Sequence, residues 1–385
     1  MAETRLGEIK TFAHKPMVVL AALLIFAVAG FVAVGRLVRA FQTRQQILAN
    51  RVFMHAKQQR QMGSINAAIT GFRAALDYSP GNFDYELNLA ETLADANLYE
   101  QARTYLLNLW ERAPQNAEVN LQLARVSRRE GKTQEAIRYY HNAIYGIWMS
   151  DPERERRLTR IELVDLLLEH NETTQARAEL IASLASPPSD PGLRTSLGDL
   201  LARTGDYRDA IAQYEAVLKA DPRQVEAQLG LAHSNFQLQD YSAAARYFAA
   251  AAKIRPLGTD DTELWNVSRL IQENDPYRRE LSEAARRQRI ATAFEQAGSR
   301  LQSCATTMHL DLEQPEQPTP LAQLYYDWSA LSKALGKNRL HKVSEDDTIR
   351  LVFRIEDETQ KACGPARGLD RAFWLIGKQG QGSAQ

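Results

Sequence analysis

The residues of this 385-residue chain that could do chemistry are seven histidines, two cysteines and a large set of carboxylates. The histidines are scattered, and none stands from another at the spacing that would put two imidazoles on one metal ion. Cys304 and Cys363 lie toward the C-terminal end, outside any Cys-x-x-Cys or Cys/His arrangement, so no zinc site is expected. No GxGxxG, GxxxxGK or GxSxG stretch occurs to cradle a phosphate or expose a nucleophile. The carboxylates recur on helix-forming stretches without a partner nucleophile or base, which is the pattern of solvated faces. These observations point away from an enzyme and imply no cofactor and no metal. The 47 basic and 47 acidic side chains cancel, so nothing marks the chain as a nucleic-acid binder. What remains is recognition by local patches, together with the two cysteines. A disulfide between them would close a loop of about 60 residues and restrict the unfolded chain by about 4 kcal/mol in the entropy model; two separate buried thiols are the other reading.

Any such patch must be held by the elements around it, and those are most legible from Pro191 to Gly258. Leu197-Gly198, Ala210, Tyr214, Val217 and Pro222 are followed, each 34 residues on, by Leu231-Ala232, Ala244, Phe248, Ala251 and Pro256. A small residue at position 8, alanine at 20, an aromatic at 24, a small or apolar residue at 27 and proline at 32 resemble the tetratricopeptide repeat (TPR) family. The same register places Leu163-Val164, Ala176, Leu180 and Pro188 in residues 157–190, and Leu123-Ala124, Ala136, Tyr140 and Ala143 in 117–150, where Trp148 replaces proline. It continues with Leu89-Ala90, Ala102, Leu106 and Pro114 in 83–116 and with His55-Ala56, Ala68, Phe72, Ala75 and Pro80 in 49–82. Six repeats thus cover 49–82, 83–116, 117–150, 157–190, 191–224 and 225–258, with extra residues 151–156 between the third and fourth. Turn residues separate the helices of each pair at Gly63-Ser64, Asn97, Gly131-Lys132, Asn171 and Gly205-Asp206. The resemblance implies an all-α solenoid in which each repeat buries its apolar face only by stacking on its neighbours.

Before the repeats, Met17–Gly35 carries no charge, and about 19 helical residues at 1.5 Å each span a bilayer core of about 30 Å. The stretch reads as a single transmembrane helix, starting at Pro16, after an N-terminal tail over 1–15. The small-x-small series Ala27-Val28-Ala29 leaves a cleaved signal peptide as the alternative. No proline or glycine interrupts Arg36–Gln61, so the helix is expected to run through a juxtamembrane extension to residue 48 and into the first repeat. Arg5, Lys10 and Lys15 before the apolar run balance Arg36, Arg39 and Arg44 after it, and charge alone does not orient it. A cysteine pair favours the oxidising side, giving a bacterial inner-membrane protein with its body outside the cytoplasm.

By the resemblance, helix A of each repeat lines a concave face through positions 2, 5, 9, 12 and 13. Position 9 reads Lys57, Glu91, Arg125, Asp165, Asp199 and His233, and the first four alternate in sign, as an ion-pair ladder would. The alternative is a set of basic spots for an acidic peptide: Lys57 and Arg60 in the first repeat, Arg125, Arg128 and Arg129 in the third. Position 5 holds Leu87, Leu121, Ile161 and Leu229, which suit either an apolar floor for a partner helix or extended peptide, or core packing. The chaperone-tail clamp of some TPR domains is matched only at Asn88; Phe53, Lys57, Glu118 and Gln122 fill its other places.

After Gly258 the register is lost, and residues 259–377 are expected to form a mainly helical C-terminal domain with a flexible tail over 378–385. Helices are expected over Pro276–Cys304, capping the last repeat, over Leu321–Leu335 after the loop Gln314–Pro320, over Asp347–Ala362, capped by Asp347, and over Leu369–Ile376. The expectation for function is a non-enzymatic, membrane-anchored TPR scaffold that binds other proteins in a cell-envelope assembly, secretion or polysaccharide-export complex. A cytoplasm-facing regulatory adaptor or chaperone accessory and a non-catalytic subunit of a membrane enzyme complex are the alternatives.

Overall fold

The computed structural model describes residues 4–185, 187–313, 319–336 and 344–382. All regular elements among them are α-helices, and they fall into two compact units, residues 1–170 and 171–385. The first holds α1 (Thr4–Gln61), α2 (Ile65–Tyr78), α3 (Phe83–Asp95), α4 (Tyr99–Arg112), α5 (Ala117–Arg129), α6 (Thr133–Tyr145) and α7 (Pro152–Glu169). The second holds α8 (Thr173–Leu184), α9 (Pro191–Arg203), α10 (Tyr207–Ala220), α11 (Val225–Gln237), α12 (Tyr241–Ala252), α13 (Thr259–Asn274), α14 (Glu283–Thr307), α15 (Pro320–Gly336), α16 (Glu345–Cys363) and α17 (Gly368–Gly382).

The repeat positions do the packing that their residue types require. Ala68, Ala102, Ala136, Ala176, Ala210 and Ala244 at position 20 are completely buried. Phe72, Leu106, Tyr140, Leu180, Tyr214 and Phe248 at position 24 are no more than 1% exposed. Small residues let paired helices approach until a large ring can close the remaining gap. Around Tyr214 the approach is closest: a Cβ built on Gly198 or on Gly230 would stand 2.6 or 2.4 Å from its ring. Tyr214 is thus held between α9 and α11, and its hydroxyl donates to Asp199 at 2.7 Å.

Position 15 of every repeat is a left-handed residue: Gly63, Asn97, Gly131, Asn171, Gly205 and, in the sixth, Gln239. Five of these are the glycine and asparagine types that tolerate positive φ; Gln239 at φ 62° is not. The helices that follow the repeat junctions are capped from position 34. The side chains of Asn82, Asn116, Asp190 and Gln224 each accept from a backbone N–H three residues on, satisfying a donor that the helix leaves free. The extra residues 151–156 lengthen α7 at its start, where Asp151 caps and Pro152 takes the first turn.

Four expectations change. α1 begins at Thr4 and contains Pro16, so residues 4–15 are helical; residues 1–3 lie outside those described. The helix that covers the last repeat is α13, which starts 34 residues after α11 and packs on α12 through Val267 and Ile271; the expected cap, now α14, begins only at Glu283. The pattern failed to show α13 because positions 8, 20 and 24 counted from Thr259 are Asn266, Arg278 and Ser282 in place of small residues and an aromatic, the last two beyond the end of the helix. α16 is capped by Ser344, whose hydroxyl accepts from Asp347 N–H, in place of Asp347 itself. α17 runs past Ile376 to Gly382, so only residues 383–385 of the expected tail fall outside the described residues, as do 314–318 of the expected loop.

In the second unit, one core joins α11–α17, with Phe248, Phe294, Leu301, Val352, Ile355 and Phe373 at its centre. Cys304 on α14 and Cys363 on α16 are joined by a disulfide, their Cα atoms 5.7 Å apart.

Candidate functional site

In the first unit, α1, α3, α5 and α7 supply one helix of each pair to a common face, and a groove of about 920 Å³ opens along it. Arg60, Asp95, Gln122, Arg125, Arg128, Arg129, Tyr140, Glu162, Glu169 and His170 are among its lining residues. Of the basic spots expected from the sequence, Arg60, Arg125, Arg128 and Arg129 line this groove and Lys57 is not among its lining residues.

Most of those arginines are already engaged. Arg60 pairs with Glu91 at 2.6 Å and with Asp95 at 2.8 Å. Arg125 grips Glu162 through two nitrogens, at 3.0 and 2.5 Å, and Arg128 pairs with Glu169 at 2.5 Å. A two-point guanidinium–carboxylate contact fixes both side chains in one plane, and this clamp turns the groove wall into a fixed template. Burial and then Glu162 push the Tyr140 hydroxyl up to about 12, so it stays a neutral donor to Glu162 at 3.2 Å. Glu118, at the start of α5, is raised above the usual carboxylate range by burial and by the nearby Glu91 and Asp84. Arg129 is exposed and has no ion pair among the described residues. Among the described lining residues its guanidinium is the positive charge without an ion pair, and the His170 ring, also on the lining, is held by Thr133 and the Leu166 carbonyl.

The ladder expected at position 9 takes other partners. Lys57 does not reach Glu91; it is exposed with its ammonium 5.6 Å from the Phe53 ring. The recurring link runs from position 12 of one repeat to position 13 of the next, as Arg60–Asp95 and Arg128–Glu169. Position 9 also reaches forward, Glu91 meeting Gln122 and Arg125 meeting Glu162, both at position 6 of the next repeat. The sequence held this signal, because arginine at 12 and an acid at 13 both recur, but one position compared by itself could not show it.

The apolar floor is corrected. Leu87 and Leu121 are each 5% exposed and belong to the interior, because position 5 turns toward the paired helix; neither can meet a partner. Ile161 is half-buried beside Glu162 on α7. Leu229, on α11 of the second unit, packs against the core that contains Phe236 and Phe248. The Asn88 amide is spent on its own helix, donating to the Asp84 carbonyl at 2.8 Å.

Models of the tetratricopeptide repeat match residues 59–126, 121–155, 161–207 and 195–259. Anaphase-promoting complex subunit 7 from Homo sapiens is 26% identical over 175 residues, which is 45% of this chain and 29% of that protein. The Mus musculus counterpart is 24% identical over 172 residues, with the same shares. The chain thus spans less than a third of the length of these curated relatives. Among solved structures, Pseudomonas aeruginosa pilF is 18% identical, with a TM-score of 0.44 over 58% of this chain and 97% of its own. YrrB, described as a TPR protein with an unusual peptide-binding site, is 19% identical, with a TM-score of 0.40 over 50% of this chain and 95% of its own.

Proposed function

The chain belongs to the tetratricopeptide repeat family, and we propose that it is a non-enzymatic scaffold, held at a bacterial inner membrane by α1, whose first-unit groove receives an acidic segment of a partner protein. The observation that carries this reading is the groove itself: a concavity of about 920 Å³ walled by three fixed ion pairs, with the unpaired Arg129 exposed on its lining. Fixed pairs cost nothing further in ordering when a ligand arrives, and the free guanidinium sets the sign of the ligand.

The anchor reading rests on α1, whose residues 19–34 are uniformly apolar, with a mean hydropathy of 2.3 over its most apolar window and Phe26 and Phe31 fully outward. Water is a poor solvent for that surface and a bilayer a good one. The Cys304–Cys363 bond supports a body outside the cytoplasm, where disulfides persist. Reporter enzymes active only outside or only inside the cytoplasm, fused after Gln385, decide this point, and activity of the inside reporter returns the cytoplasm-facing adaptor reading.

For the groove, fluorescence anisotropy of dye-labelled acidic and basic decapeptides, free in solution and titrated with the detergent-solubilised chain, is the direct test. Acidic peptides are expected to bind, with Arg129→Glu weakening them at least tenfold and Lys57→Glu leaving them within twofold. Equal binding of both peptide classes, or indifference to Arg129→Glu, refutes the site.

A further inference from the structure

Downstream of its apolar run, α1 carries a second feature that the groove does not use. Leu37, Phe41, Arg44, Ile47, Arg51 and Met54 follow one another at spacings of three or four, so they share one face of an unbroken helix. Leu37 is 72% exposed, Phe41 62%, Ile47 57% and Met54 56%, and both arginines are exposed without an ion pair among the described residues. The first repeat packs on a different face of α1, through Ala49, Phe53 and Ala56, and leaves this one bare. Large apolar side chains in line on water, as Phe41, Ile47 and Met54 stand, are unfavourable unless something covers them.

Charge and height decide what can cover them. From residue 9 to residue 76 the chain has no Asp or Glu, although the chain as a whole is neutral. Arg44 and Arg51 therefore have no acidic partner nearby in sequence. At 1.5 Å per residue, Phe41 stands about 9 Å, Arg44 about 13 Å and Arg51 about 24 Å beyond Gly35 along the helix. The headgroup layer is only about 5–7 Å thick on each side of the hydrocarbon. Lipid phosphates reach Arg36 and Arg39 and stop short of the upper stripe. A second copy leaving the same bilayer would bring Arg44 against Arg44 and Arg51 against Arg51 at equal heights, which like charge opposes.

We infer that this stripe is the docking edge for an acidic amphipathic helix of a partner that leaves the same membrane beside α1, with apolar residues at three-four spacing against Leu37, Phe41, Ile47 and Met54 and carboxylates against Arg44 and Arg51. The inference rests on the anchor reading of α1. Such a partner would be fixed at the membrane-proximal end of the scaffold, while the groove remains open to a separate segment.

Photo-crosslinking in native membranes tests it. p-Benzoylphenylalanine replaces Phe41 or Ile47 on the stripe, and Gln42 or Gln46 on the other side of the helix. The expected result is one discrete heterologous adduct from positions 41 and 47, at least tenfold less from 42 and 46, and at least a tenfold loss on the double change Arg44→Glu and Arg51→Glu. The crosslinked peptide should carry Asp or Glu at helical spacing next to a membrane span. Adducts at twice the mass of the chain, lipid adducts, no adduct, or equal labelling of both faces overturn the inference. Alkaline extraction of the same membranes separates the two readings. Release of the chain by carbonate refutes the anchor, whereas a chain that stays with the membrane but labels on both faces refutes the docking edge only. Unchanged helicity and melting of the arginine variant exclude loss of folding as the cause.

Discussion

Glu356→Gln should flatten the pH dependence of the second unit's stability. Glu356 sits on α16 with no exposed surface, and neither carboxyl oxygen has a hydrogen-bond partner. Burial, reinforced by Asp370 and only partly offset by Arg300, lifts it from 4.5 to about 8. The sign follows from which state lets its proton go first. Below pH 4.5 both folded and unfolded chains hold the proton, and nothing is lost. As pH rises, the unfolded carboxyl ionises in water while the folded one stays neutral, so stability falls until the folded group also ionises near pH 8. At 1.36 kcal/mol per unit, a span from 4.5 to 8 amounts to about 5 kcal/mol at full extent and about 3 kcal/mol at pH 7. Glutamine has nearly the shape of the protonated acid and no proton to lose. The two proteins should match at pH 4.5–5, and the variant should be more stable by about 3–5 kcal/mol at pH 8.5. Hydrogen exchange of the α14 and α16 amides, normalised for the intrinsic pH dependence and read by mass spectrometry with the disulfide intact, isolates this unit from the rest of the chain. Parallel profiles for the two proteins from pH 5 to 8.5 would refute the reasoning.

Two further outcomes test the repeat geometry. Gly230→Ala drives a methyl against the Tyr214 ring, where a Cβ would lie at 2.4 Å, and should cost about 1–3 kcal/mol in urea unfolding, with Tyr214→Ala at about 3–5 kcal/mol; a neutral Gly230→Ala means that α9 and α11 are farther apart than described. Gln239→Gly removes a side chain from a left-handed residue at φ 62° and should raise stability by about 1 kcal/mol, because the strain it relieves outweighs the added freedom of the unfolded chain; a lower midpoint would refute the strain argument.

The sequence by itself determined the repeat. Positions 8, 20, 24 and the turn at 15 are set by contacts within one helix pair and its immediate neighbour, so a fixed covalent spacing records them, as Ala210, Tyr214 and Gly205 show. The apolar run of α1 and the basic character of the groove residues were legible for the same reason: each is a property of a short stretch. Tertiary structure decided the rest. Whether Arg125 meets Glu91 or Glu162 depends on how far a long side chain leans across a neighbouring helix, and the extra residues before α7 do not enter a 34-residue register. Leu87 and Leu121 turned inward although the resemblance put position 5 on the binding face, since a small rotation of a helix exchanges its floor for its core. The α13 cover and the isolation of Glu356 come from non-repeating packing among α13, α14, α16 and α17, where no period exists to be read and only proximity in space determines which group is left without water.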